Sequence, residues 1–171
     1  EQPKANPAWF WTDQLDININ GYGGDWTKVV GGWTLRKSSS CGTSLSSVVT
    51  FPTNTILQPG QHYLVAQSGT YIAGIADLTF SSSISDDGGV ALGAGSTIVD
   101  QVGLCAGTTY REGTTLAPWS STADQSYERL PGGLTSCYDL NNNLLDFQLI
   151  SPPNPQNSTM AVAMCAGVGL Y

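Results

Sequence analysis

The feature that most constrains this chain is how often glycine and proline interrupt it. The sequence holds 20 Gly and 9 Pro in 171 residues, so turn-forming residues recur roughly every 8–12 positions. No segment keeps a helical repeat of apolar residues over three turns. This rhythm predicts an all-β fold made of short antiparallel strands, as in a sandwich or barrel.

The predicted strands are segments in which apolar and polar residues alternate. The first predicted strand has one solvent-exposed face, because polar residues alternate with Leu15, Ile17 and Ile19. The further predicted strands cover 33–36, 48–51, 62–66, 78–80, 90–92, 97–102, 126–130 and 147–150. Residues 93–96 predict a hairpin tip and residues 86–89 a hairpin turn.

The surface is expected to be polar but almost uncharged. Charged residues make up 11% of the chain, less than half the usual level of about 25%. The net charge is -7, from 6 basic and 13 acidic residues. No basic stripe exists to neutralise phosphates, which argues against nucleic acid and anionic lipid as partners. No run of apolar residues is long enough to predict a membrane span.

The four cysteines indicate the compartment. Cys41, Cys105, Cys137 and Cys165 are widely spaced, without a CxxC motif. With a single His in the chain, a zinc site is not expected. Two disulfides in a secreted protein are favoured, with a slight preference for Cys41–Cys105 and Cys137–Cys165. Four buried free thiols remain the alternative. A start at Glu1 fits a chain whose signal peptide was removed, although an arbitrary boundary would look the same.

Six segments carry motifs that occur together in one protein family. They are GWTL at 32–35, LQPGQHYLVA at 57–66, ISDDGGVAL at 84–92, IVDQVG at 98–103, EG at 112–113 leading to QSYER at 125–129, and a closing run from 139 to 158. In this order they resemble the lamin-tail domain family, in its prokaryotic secreted branch. The resemblance covers residues 15–158 and implies an immunoglobulin-like antiparallel β-sandwich. Residues 25–30 depart from the family pattern, which leaves the pairing of the first two strands open.

Both ends of the chain lie outside this resemblance. Residues 1–14 form an N-terminal extension containing Trp9, Phe10 and Trp11. Residues 159–171 predict a C-terminal strand that is apolar on both faces, and such a strand must be covered on both sides. The cover is either the chain's own domain or a neighbouring copy. The residues expected to take part in assembly or binding are Trp9, Phe10, Trp11, Met160, Val162, Met164 and Tyr171.

The sequence offers little that predicts catalysis, and we assign no catalytic residue. His62 is the only His, and its place in a predicted strand favours a structural or surface role. Asp86 and Asp87 are adjacent in a predicted turn, where Asp accepts local backbone hydrogen bonds. We therefore expect a protein that is not an enzyme.

Two binding features remain as candidates. Asp139, Asn141 and Asn143 offer several oxygens in one loop and are candidate Ca²⁺ ligands, although a polar turn held by its own side chains is the plainer interpretation. No other cofactor is expected. Asn157 begins an Asn-Ser-Thr glycosylation pattern.

The favoured function is that of a secreted structural subunit. Copies of it would build an extracellular filament, sheath or surface array by exchanging terminal strands. The alternative is a cell-surface adhesion module that binds a polysaccharide through exposed aromatic rings such as Trp9 and Trp11.

Overall fold

The computed structural model describes residues 28–58, 61–119, 124–132 and 139–162. The described chain is all-β, as predicted. Its strands are β1 (Lys28–Val29), β2 (Thr34–Ser38), β3 (Leu45–Thr50), β4 (Ile56–Leu57), β5 (Val65–Gln67), β6 (Leu78–Phe80), β7 (Gly89–Ala94), β8 (Thr97–Gly103), β9 (Ser126–Arg129) and β10 (Phe147–Ile150). One 3₁₀ turn (Tyr71–Gly74) and one single-turn helix, α1 (Asn143–Asp146), interrupt them.

The largest sheet has four antiparallel strands in the order β3-β2-β7-β8. β7 is central and almost wholly buried, which fits its nearly continuous small and apolar sequence. β7 and β8 are joined by a two-residue turn, in which Gly95 takes a φ of 60° that favours glycine. The predicted hairpin tip at residues 93–96 is therefore confirmed.

The remaining strands form three pairs. β1 pairs with β4 and β9 with β10, both antiparallel, whereas β5 and β6 run parallel. The hairpin predicted at residues 86–89 is wrong. A turn does form there, closed by the Gly88 N–H to Ser85 O hydrogen bond of 3.1 Å. However, this turn connects β6 to β7, and these two strands do not pair with each other. β6 pairs with β5, whereas β7 pairs with β2 and β8.

One apolar core connects these sheets. Its most deeply buried large side chains include Phe51, Leu57, Leu64, Ile72 and Leu104. His62 is also buried, with 2% of its surface exposed. Trp33 and Trp119 are partly buried and pack against the same core.

The Cys41–Cys105 disulfide joins the loop after β2 to the segment after β8. The two Cα atoms lie 5.4 Å apart, within the usual range for a disulfide. This pairing was one of the two favoured from the sequence, and it is confirmed; Cys137 and Cys165 lie outside the described residues. An intramolecular disulfide is typical of an environment outside the cytoplasm. In the described ranges no helix is long and apolar enough to cross a membrane.

Candidate functional site

A buried arginine organises the most highly charged part of the described structure. Arg129 ends β9 and has only 4% of its surface exposed. Its Nη2 donates to Asp100 Oδ2 on β8, a strand of the four-stranded sheet, at 2.6 Å. Its guanidinium carbon also lies 4.7 Å from the centre of the Phe147 ring. The ion pair therefore links the β9–β10 pair to the four-stranded sheet, in a region where an unpaired charge is costly.

Two further carboxylates face the other side of the guanidinium. Arg129 Nη1 lies 3.8 Å from Asp139 Oδ1 and 4.0 Å from Asp146 Oδ2. Both distances are longer than the donor–acceptor distance of a charge-assisted hydrogen bond. Of these three aspartates, Asp100 therefore makes the shortest contact with Arg129.

The loop at residues 139–142 closes around Asp146. Asp146 Oδ1 accepts the Leu140 N–H at 2.8 Å, and Oδ2 accepts the Asn142 N–H at 3.0 Å. Asn141 makes the bend with a φ of 55°, a conformation that Asn tolerates better than most residues. The polar loop was expected, and its backbone is held by an aspartate further along the chain.

The helix α1 has its polar residues inside and its apolar residues outside. Asn143 and Asp146 are fully buried, whereas Leu144 and Leu145 are more than half exposed. The Asn143 Oδ1 accepts the Gly103 N–H at 2.9 Å and the Glu112 N–H at 3.0 Å. Asn143 therefore ties β8 to the segment that carries Glu112.

Glu112 completes a group of three carboxylates. One oxygen each from Glu112, Asp139 and Asp146 lies within 4.8 Å of the others. Glu112 Oε2 is closed off from solvent and has no hydrogen-bond partner. With Asp100, the cluster holds four carboxylates around one guanidinium, and we call these five residues the Arg129 cluster.

The charges of the Arg129 cluster shift its pKa values in consistent directions. Burial raises the pKa of Glu112 to about 8, and the negative charges of Asp100, Asp139 and Asp146 act in the same direction against the Arg129 charge. Burial also raises the pKa of Asp100, with Arg129 opposing it. Burial lowers the pKa of Arg129, but its acidic neighbours, Asp100 first, raise it by more.

The Glu112 shift predicts that the metal-free protein loses stability as the pH rises. The folded pKa of about 8 lies above the ordinary value of 4.5, so between them the folded state holds a proton that the unfolded state has released. Stability therefore falls from about pH 4.5 to about pH 8 and levels off on either side. After allowance for solvent screening of this partly exposed group, we expect a loss of about 1–2 kcal/mol.

Urea unfolding between pH 5 and pH 9 in the presence of a chelator measures this loss. Glu112→Gln should reduce the slope of unfolding free energy against pH, and the slope that remains should come from Asp100. Asp86→Asn, in an exposed turn, should leave the slope unchanged. An unchanged slope in Glu112→Gln would show that Glu112 is ionised in the folded protein.

The three Ca²⁺ ligand candidates predicted from the sequence lie in different surroundings. Asp139 lies in the Arg129 cluster. Asn143 is adjacent, but its side-chain oxygen already accepts two N–H groups. Asn141 is exposed, and its N–H donates to Asp139 Oδ1 at 3.2 Å.

The other candidate residues are spread over the surface or lie beyond the described ranges. Met160 and Val162 are exposed by 47% and 42%. The Asn157 side chain donates to Ile75 O and accepts from the Thr159 N–H. The predicted strand at 15–20, the disulfide candidates Cys137 and Cys165, and the assembly candidates Trp9, Phe10, Trp11, Met164 and Tyr171 lie outside the described residues.

Comparison of the chain with protein-family models, curated proteins and solved structures found no match.

The sequence alone did not predict a cluster of Asp100, Glu112, Arg129 and Asp146. A signal was present, because each of these charged residues lies inside one of the segments that resemble the lamin-tail family. In a chain with only 11% charged residues, charges placed within short apolar strands indicate a buried ionic contact.

Proposed function

We propose that this protein is a non-catalytic, secreted structural subunit that assembles through strand addition at β3. The observation that carries the proposal is the character of this edge strand. Within the described residues, β3 pairs only with β2 and forms one border of the four-stranded sheet. An unpaired strand edge is a template for another strand.

The β3 edge has few of the usual protections. Its six residues, Leu45–Thr50, contain no charge and no proline. Most of them are exposed, including Leu45 with 51% of its surface accessible. One register shift, opposite Leu35 and Arg36, is the feature that disturbs pairing. The opposite border, β8, carries Asp100.

In this proposal the donor is the apolar sequence of the C-terminal segment, residues 159–171. Asp77 Oδ2 accepts the N–H groups of Leu64 at 2.7 Å and of Ser158 at 2.9 Å, so the chain is fastened to the domain just before this segment starts. Beyond that point Met160 and Val162 are exposed. A strand from one copy added to β3 of the next gives a head-to-tail contact, which propagates into a fibre.

The composition and the resemblance to the lamin-tail family support the same proposal. A weakly charged surface lets copies approach without strong repulsion. The disulfide fits an extracellular location. The polysaccharide-binding alternative depends mainly on Trp9 and Trp11, since Trp33 and Trp119 pack against the core.

A charge placed on the β3 edge should block assembly. Ser47→Lys adds an exposed cation to β3, a common natural protection of edge strands. We expect the wild-type chain to form large species in sedimentation velocity at high concentration and Ser47→Lys to remain monomeric, with at least a tenfold smaller assembled fraction.

Thr97→Lys is the matched control, because it adds the same charge to an exposed position on the opposite border, β8. This variant should assemble like the wild type. A wild-type chain that stays monomeric, or equal assembly by Ser47→Lys, would contradict the proposal. Binding of the wild-type monomer to a glycan array, lost in Trp9→Ala, would favour the polysaccharide alternative instead.

A further inference from the structure

Asp77 fastens the chain to the domain at the point where the C-terminal segment begins. Its Oδ2 accepts the Leu64 N–H at 2.7 Å and the Ser158 N–H at 2.9 Å, and its Oδ1 accepts the Ser158 hydroxyl. The Asp77 N–H in turn donates to Leu64 O at 2.8 Å, and Leu64 is fully buried. Because hydrogen bonds to a carboxylate are stronger than neutral ones, Ser158 is held firmly against the domain.

Two more hydrogen bonds hold the same short stretch of chain. Gln61 Nε2 donates to Ser158 O at 3.1 Å. Asn157 Nδ2 donates to Ile75 O at 2.8 Å. Two consecutive residues are therefore held by the segments that precede β5 and β6. We call Gln61, Ile75, Asp77, Asn157 and Ser158 the Asp77 anchor.

Beyond the Asp77 anchor the chain makes one turn and becomes exposed. The Met160 N–H donates to Asn157 O at 3.0 Å and closes this turn. After the turn, larger apolar residues alternate with alanine in the sequence, as Ala161, Val162, Ala163 and Met164. Side chains of a strand point alternately to its two faces, so a strand formed by this sequence has one face of large side chains and one face of methyl groups.

The β3 edge distinguishes the two faces of a strand added to it. Val49 pairs with the buried Leu35 and packs against the core. Ser47 pairs with Arg36, on the opposite face of the sheet, and is exposed. One face of an added strand therefore continues the core, and large side chains on that face bury more apolar surface than alanine does.

We propose that the Asp77 anchor sets the register in which the C-terminal segment of one copy adds to β3 of the next, with Asp77 as its positioning residue. The inference rests on the proposed function. A slip of one residue exchanges the two faces of a strand, whereas a slip of two residues restores them. Because the anchor holds Ser158 in place, the added strand starts at a fixed distance from it and cannot slide along β3. Fixing this end of the strand in advance also reduces the entropy lost on assembly.

Insertion of one or two alanines between Met160 and Ala161 tests the register in the full chain. Both insertions leave the Asp77 anchor and its turn in place. One alanine moves Val162 and Met164 to the opposite face, so the assembled fraction in sedimentation velocity should fall roughly tenfold or more. Two alanines restore the faces, so this matched control should assemble to within about threefold of the wild type.

Asp77→Ala releases the anchor and should remove the difference between the two insertions, because the strand can then slide. A general loss of stability would lower assembly of both insertions alike and would not remove their difference. Ser158→Ala keeps the contact of Asp77 with Leu64 and removes only the hydroxyl contact, so it also tests the anchor if Asp77→Ala fails to fold. It should reduce the ratio of two-alanine to one-alanine assembly by about threefold or more. Circular dichroism checks that each variant folds.

Equal assembly of the two insertions in the otherwise wild-type chain would overturn the inference. A difference that persists unchanged in folded Asp77→Ala, or in Ser158→Ala, would overturn it as well. Where the wild type assembles and Ser47→Lys does not, these results reject the register alone and leave strand addition at β3 in place. A wild-type chain that stays monomeric would overturn the inference together with the proposed function.

Discussion

Arg129→Ala should destabilise the folded protein by about 3–5 kcal/mol, the usual cost of removing one partner from a buried ion pair. The loss is large because the substitution leaves Asp100 buried against β9 without its 2.6 Å contact. It also removes the positive charge near Asp139 and Asp146 and the contact with the Phe147 ring. The melting midpoint should fall by roughly 10 °C.

Urea unfolding at pH 7 measures this change, and two further variants show its origin. Arg111→Ala removes an exposed arginine whose hydrogen bond to Gly113 O is long, at 3.4 Å, so its effect should stay within about 0.5 kcal/mol. Adding Asp100→Asn to Arg129→Ala should restore part of the stability, because it removes the carboxylate left unpaired. A loss below about 1 kcal/mol in Arg129→Ala would mean that the cluster is open to water.

Removing the Cys41–Cys105 disulfide is the second change with a large expected effect. The bond closes a loop with a sequence separation of 64 residues. In the chain-entropy description, a loop of this length contributes about 4 kcal/mol by restricting the unfolded chain. The double variant Cys41→Ser, Cys105→Ser should therefore unfold at much lower urea concentration.

The exposed Thr43 lies in the same loop, so Thr43→Ser serves as a control that should leave the midpoint in place. The double variant should also unfold with a larger m-value, because its unfolded state is less compact. Equal stability of the double variant and the wild type would show that the disulfide constrains segments that are already close in the unfolded chain.

The all-β fold was predictable because its strongest signals are local. The alternation at 147–150 and the apolar run at 78–80 correspond to β10 and β6 at the same bounds. Gly95 also indicated the position of the turn between β7 and β8, where its φ is positive. Such features depend on the spacing of apolar residues and on backbone conformations that few residue types adopt.

The pairing of strands was harder to predict because it depends on distant partners. Residues 86–89 have the composition of a hairpin turn, but β6 pairs in parallel with β5 instead. The helix α1 also escapes pattern analysis, since its apolar residues Leu144 and Leu145 face outward. Its polar residues are buried because Asn143 accepts the Glu112 N–H and Asp146 lies beside Arg129. Glu112 and Arg129 are both distant from α1 in the sequence.

The candidate site was only partly predictable for the same reason. The Asp and Asn residues at 139–143 singled out the loop that contains Asp139, one member of the Arg129 cluster. The carboxylates that complete the Arg129 cluster come from β8, from the segment at Glu112 and from α1, so only the folded chain brings them together.

Electron cryo-microscopy of the purified full chain tests the central claim most directly. The proposed function predicts filaments in which a strand from the C-terminal segment of one copy lies hydrogen-bonded along Leu45–Thr50 of the next. Particles that remain single at high concentration, or an assembly in which the chain's own terminal segment covers that edge, would contradict it.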